Sequence, residues 1–372
     1  MTVTEKLAKP GPRKLLALDG GGIRGLITIE VLAEIEGLLR EESGAGDQFV
    51  LADYFDYIAG TSTGAVIATC LSVGMSVDRI RDFYVENATD MFDKASLLAR
   101  FRYKYEDDRL AARLRRELGE GTTLGSEQLR TLLLIVMRNA TTDSPWPLSN
   151  NPGAVYNRPD RKFRNLDIPL WQLVRASTAA PTFFPPEVID IGGGKSFVFV
   201  DGGVTMFNNP AFQLFLMATH AAYNVGWPTG EEQMLLVSIG TGTNPRANVD
   251  LQPGEMNLMY NASSIPAALM GAALNEQDLL CRVFGRRLVG DLLDREVGDL
   301  ALTRGPVEPR LFTYLRYNAE LSREGLDVLG LPNIDPDDVQ RLDSIEHVAE
   351  LQQVGRAVAA RVKREHFEGF PA

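Results

Sequence analysis

The chain has 372 residues, 45% of them hydrophobic and 23% charged, the balance of an ordinary globular core and surface. A net charge of −11 excludes a general nucleic-acid-binding role, which needs a basic surface to replace counterions. Two cysteines, Cys70 and Cys281, supply neither a disulfide framework nor a metal cage. No apolar run approaches the roughly 18 residues that span a bilayer, and the N-terminus lacks a signal peptide's apolar stretch, so a cytoplasmic protein is expected.

Residues 1–12 read as a flexible N-terminal tail ending in Pro10-Gly11-Pro12. A strand at about 14–18 leads into DGGGIRG (19–25) and then a helix at about 26–40, with Ile27, Val31, Ile35, Leu38 and Leu39 at helical spacing. YFDYIAG (54–60) reads as a second strand and 63–74 as a buried helix. Residues 76–118 are helical and charged, 131–140 strand-like, and 141–160 a loop rich in Asn, Pro and Ser. Residues 171–180 form a helix stopped by Pro181 and Pro185-Pro186. FVFV (197–200) and MLLVSI (234–239) are further apolar strands, preceding DGG (201–203) and GTGT (240–243). Four apolar strands thus run into glycine-containing loops. Alternation with helices predicts a mostly parallel α/β sheet, whose ligands gather at the carboxyl ends of its strands. The part from about 260 to 372 reads as helix-rich, with a helix over 344–362, inside one domain spanning 13–372.

The decisive motif is Gly60-Thr61-Ser62-Thr63-Gly64, a G-x-S-x-G between a strand and a helix. A serine on such a tight turn needs small neighbours at Gly60 and Gly64, and the helix start directs N–H groups toward it. A nucleophilic serine also needs a base and an oxyanion hole. The three histidines, His220, His347 and His366, lie outside the glycine loops. Asp201 ends the FVFV strand before two glycines, and a partly desolvated carboxylate there suits a base. The N–H of Thr63 and those of the Gly20, Gly21, Gly22 loop are candidate oxyanion donors.

Other readings of the same residues stay open at this level. Gly20, Gly22 and Gly25 match the dinucleotide fingerprint G-x-G-x-x-G, with Glu41 and Glu42 about 20 residues on. Ser62, Asp201 and one histidine fit the chain order of an α/β-hydrolase triad. A non-catalytic lipid-binding protein is a third possibility.

DGGGIRG, GTSTG and DGG, in that order, with RASTAAPTFFPP (175–186) and SIGTGT (238–243), resemble the patatin-like phospholipase family. The resemblance covers 13–245 firmly and the C-terminal third more loosely. It implies a three-layer α/β/α fold with a mostly parallel central sheet. It implies a lipid acyl hydrolase of phospholipase A or lysophospholipase type, needing neither metal nor cofactor. Ser62 is then the nucleophile and Asp201 the general base, with the glycine loop as oxyanion hole and Arg24 and Gly25 as its support. The substrate is a phospholipid or related acyl lipid.

Residues 94–118 carry eight Lys/Arg against four Asp/Glu, a local +4, with apolar side chains interleaved. Such a stretch suits peripheral contact with an anionic membrane, or a solvated helix face packed on the core. Residues 246–262 read as a surface loop or as a flap over the site.

Overall fold

The computed structural model describes residues 1–92, 109–181, 183–244, 251–294, 296–301 and 303–372. The basic stretch over 94–108 and the start of the supposed flap, 246–250, lie outside them. Its described remainder, Arg109–Leu118, is a helix that buries Leu110, Leu114 and Leu118.

Among the described residues nine strands form one mixed sheet: β1 (Arg13–Leu18), β2 (Tyr57–Thr61), β3 (Leu132–Asn139), β4 (Ser144–Ser149), β5 (Glu187–Asp190), β6 (Ser196–Asp201), β7 (Met234–Ile239), β8 (Arg286–Val289) and β9 (Thr313–Tyr317). Their order is β5-β6-β3-β2-β1-β7-β9-β8, with β4 also on β3. The stretch from β3 through β2, β1, β7 and β9 to β8 is parallel.

Successive strand residues face opposite sides, and both sides are apolar. Leu16, Leu18 and Ile58 pack with the helices Gly25–Ser43, Thr63–Ser72, Leu170–Ser177 and Val348–Ala359. Leu15, Ala17, Tyr57 and Ala59 pack with Ala211–Thr219 and with Cys281 of Leu258–Phe284. The result is a three-layer α/β/α arrangement.

Four expectations need correction. The N-terminal segment is not a free tail: Val3–Ala8 is a helix with a Thr2–Glu5 capping box. Lys6 is fully buried and donates to the Phe55 carbonyl at 2.8 Å, which ties this helix under the sheet. The polar stretch 141–160 contains β4, whose Pro145 and Pro147 are tolerated because among the described residues it pairs with β3 alone. The C-terminal third contributes two strands, β8 and β9, beside its helices. Finally, β6 runs antiparallel to β3, and so does not end at a parallel strand's carboxyl end.

That last difference positions the site. β4 pairs with β3 along residues 134–139, β2 along 132–136 and β6 along 137–139. The overlaps put β2 and β6 on the same edge of β3, opposite β4. They approach head to head: β2 ends with Thr61 opposite Val136, and β6 ends with Asp201 opposite Met137. The residues that terminate the two strands therefore meet.

Candidate active site

Ser62 sits where β2 turns into the Thr63–Ser72 helix, with φ 54° and ψ −123°, a strained conformation for a residue with a side chain. The turn closes because its flanking residues are glycines. A Cβ on Gly60 would lie 2.1 Å from the Gly64 carbonyl oxygen, and one on Gly64 would lie 2.3 Å from that of Leu18. The strain lifts the hydroxyl out of the sheet, where Ser62 Oγ donates to Asp201 Oδ2 at 2.7 Å.

Asp201 is buried, and its other oxygen accepts the Gly203 N–H at 2.6 Å. Burial pushes its pKa up from 3.8 to about 6; the Ser62 hydroxyl, the Gly203 N–H and the positive charge of Arg175 restrain the rise. The carboxylate is thus a stronger base than an exposed aspartate while staying largely ionised near neutral pH. Arg175 is itself buried, donating to the Pro185 carbonyl at 3.1 Å and standing over the Phe184 ring.

The glycine loop follows β1. Gly22 has φ 60°, a backbone conformation glycine adopts without strain. The Gly20 N–H donates to the Asn208 carbonyl at 3.1 Å, and the Ile23 N–H to the Leu342 carbonyl at 3.1 Å. Gly20 therefore has its donor engaged. Among the described residues the N–H groups of Gly21 and Gly22 have no such partner, nor do those of Thr63 and Gly64 at the helix start. Thr241 anchors the loop by donating its hydroxyl to the Gly20 carbonyl at 2.8 Å.

Asp19 is a strut and not a base. Arg316 of β9 grips both its oxygens, at 3.0 and 2.6 Å, and both side chains are buried. Asp19 in turn holds Arg316 protonated. Arg24 reaches the C-terminal segment, donating to the Gln340 carbonyl at 3.3 Å; burial lowers its pKa to about 10 against the pull of Asp19. Gly25 starts the Gly25–Ser43 helix and lets it approach Thr63 and Tyr84.

The histidines are occupied elsewhere. His220 accepts from the Ala222 N–H at the exposed start of a turn. His347 lies beside Asp338 and Glu350, and His366 bonds the Tyr317 hydroxyl. A dinucleotide would need the N–H groups where the glycine loop turns helical, yet Ile23 already serves Leu342 there. Among the described residues no cluster of His, Cys, Asp or Glu has the form of a metal site, and no helix is long and apolar enough to cross a membrane.

Several supporting residues carried no assigned role in the sequence. Asn208, Thr241 and Arg316 are distant in the chain and join the site only through folding. Arg316 had one local signal: a lone charge inside the apolar strand TYLRY.

Comparisons with known proteins identify the family. A family model described as patatin-like phospholipase matches residues 16–215. Patatin-T5 of Solanum tuberosum is 31% identical over 246 residues, covering 62% of this chain and 60% of the relative. A cGAMP-activated phospholipase of Vibrio cholerae is 33% identical over 211 residues, 54% of this chain and 56% of that protein. The chain thus spans about 60% of the length of the patatin it matches. Among solved structures, VipD from Legionella pneumophila aligns with a TM-score of 0.39 at 14% identity, covering 95% of this chain and 66% of that one.

Proposed function

Since the chain belongs to the patatin-like phospholipase family, we propose that it hydrolyses carboxylic ester bonds of phospholipids or related acyl lipids through a Ser62–Asp201 dyad. The observation that carries this reading is the 2.7 Å hydrogen bond from the strained Ser62 to a buried carboxylate of raised pKa. Cation and cofactor have no step in it.

In the first half-reaction Ser62 Oγ attacks the ester carbonyl carbon while its proton passes to Asp201 Oδ2. The carbonyl oxygen becomes negative, and the N–H groups of Gly21, Gly22 and Thr63 are the donors proposed to hold it. Gly20 supports the loop through Asn208 without donating to the oxyanion. Collapse of the intermediate breaks the bond to the alcohol oxygen, which takes the proton from Asp201 and leaves as a lysolipid. In the second half Asp201 removes a proton from water, the hydroxide oxygen attacks the acyl-serine, and Ser62 leaves reprotonated with release of a fatty acid.

Val204 and Met206, exposed just beyond Asp201, are suited to contact an acyl chain at the site entrance. The two free thiols, Cys70 and Cys281, are both buried, which fits a cytoplasmic setting with access to lipid from the aqueous side. Peripheral membrane contact through 94–118 belongs to this proposal.

The test is mass spectrometry of products from vesicles of mixed phospholipids. Fatty acid and lysolipid release is expected from the native chain, with at least about a 1,000-fold loss in Ser62→Ala. Undiminished release by Ser62→Ala overturns the dyad. The same product list reports head group and acyl position.

A further inference from the structure

The parallel ladder between β2 and β3 has a missing rung, and a side chain from a distant helix fills it. The Leu132 N–H donates to the Asp56 carbonyl, and Tyr57 is paired with Leu132. In a parallel ladder of that phase each β3 carbonyl that points toward β2, at 132, 134 and 136, accepts from the residue after its β2 partner. Thr61 is paired with Val136, so the regular continuation would be Ser62 N–H to the Val136 carbonyl. The backbone turn at Ser62 breaks that rung. Ser177, the last residue of the Leu170–Ser177 helix, stands in the gap: its hydroxyl accepts the Ser62 N–H at 2.9 Å and donates to the Val136 carbonyl at 2.5 Å.

The same segment also holds the other half of the dyad. Two residues on, the Ala179 carbonyl accepts the Asp201 N–H at 2.9 Å. Ser62 and Asp201 are 139 positions apart in sequence, yet both main chains hang from the stretch Ser177–Ala179. Ser177 is fully buried, and its bond to the Val136 carbonyl is shielded from bulk water.

We propose that Ser177 is the positioning residue of the dyad: its hydroxyl replaces the broken rung, fixes the strained main chain at Ser62, and so sets the Ser62 Oγ against Asp201. It touches no reacting atom. Removing it leaves a half-buried donor at Ser62 and a buried acceptor at Val136 without this partner, and the turn relaxes in the direction that lengthens the Ser62–Asp201 bond. An error of about 1 Å in such an arrangement is enough for about a 100-fold loss in rate. This inference rests on the Ser62–Asp201 reading.

The experiment compares the second-order rate of Ser62 labelling by a small fluorophosphonate, together with kcat and KM on a soluble short-chain ester. Ser62→Ala must first abolish both signals; if it does not, the dyad has failed and not the role of Ser177. With that control in place, Ser177→Ala is expected to slow labelling and kcat about 10- to 100-fold with KM within about threefold. Ser177→Thr, which keeps the hydroxyl, is expected to recover most of the rate. Thr178→Ala removes the neighbouring hydroxyl, which among the described residues bonds carbonyls of its own helix, and leaves the rate unchanged. Labelling of Ser177→Ala at the native rate overturns the proposal, as does a Ser177→Thr protein as slow as Ser177→Ala. Should Ser177→Ala not fold, Ser177→Cys, similar in shape though slightly larger and a poor hydrogen-bonding group, takes its place with the same outcomes.

Discussion

Replacing Asp201 with Asn should destroy activity and stabilise the fold, and the stabilisation should depend on pH. Folding raises the pKa of this carboxyl from 3.8 to about 6, chiefly through burial. A raised folded-state pKa means that the native state prefers the protonated form. The associated stability is fully present below about pH 4 and is lost as pH rises through about 6. At about 1.4 kcal/mol per pKa unit, the ionised carboxylate leaves the native protein about 3 kcal/mol less stable at pH 8 than a permanently neutral side chain would. Asn is that neutral side chain, and its Oδ1 can still accept the Gly203 N–H. With an unfolding entropy of about 2.1 cal/mol/K per residue, a chain of 372 residues converts that difference to about 4 °C in Tm. The assay is thermal unfolding of both proteins at pH 4, 5, 6, 7 and 8. The curves should coincide near pH 4, diverge between pH 4 and 7, and run parallel above. A Tm difference independent of pH would refute the argument that Asp201 is an ionised, desolvated base.

The same pKa predicts that kcat/KM on a neutral ester rises with pH, falling about 10-fold from pH 8 to pH 5 as the carboxylate is protonated; a flat profile contradicts Asp201 as the base. Changing His220, His347 and His366 together to Gln should leave turnover within about threefold of native, since all three are engaged away from Ser62; loss of turnover in a folded triple variant would restore a histidine triad. Arg316→Met should cost about 3–5 kcal/mol in denaturant unfolding, because it leaves Asp19 buried and unpaired. Adding Asp19→Asn should recover part of that loss, and failure to recover any would mean that the pair does not act as a unit. Gly21→Ala should lower kcat at least about 10-fold, since its Cβ would stand 2.1 Å from Thr241 Oγ1 and displace a proposed oxyanion donor; a native kcat would remove Gly21 from that role.

Much of this molecule is legible locally. The strands at 13–18, 57–61, 132–139 and 234–239 announce themselves as apolar runs, and the helices after them by spacing or by flanking Gly and Pro. The G-x-S-x-G elbow is legible for a related reason: a turn that brings Gly60 and Gly64 into backbone contact admits almost no other residues. Elements with weak local signals were missed, namely the helix at 3–8, the proline-bearing β4, and β8 and β9. Each is held by partners far away in sequence, as Lys6 is by the Phe55 carbonyl.

The sequence by itself determined which residues are eligible for chemistry: a serine on a tight elbow, an aspartate before two glycines, and a glycine loop at the end of the first strand. Hydrogen-bonding geometry within a few residues of chain suffices for that. Only the tertiary structure decided how they combine. The antiparallel entry of β6 along the edge of β3 brings Asp201 to Ser62, because two strands sharing one edge must end against each other. Main-chain pairing divides the glycine loop, engaging the N–H of Gly20 with Asn208 and leaving those of Gly21 and Gly22 without a partner among the described residues. And a rung broken by the elbow is filled by the Ser177 hydroxyl from a helix 115 residues away, a requirement that arises only once the ladder is built.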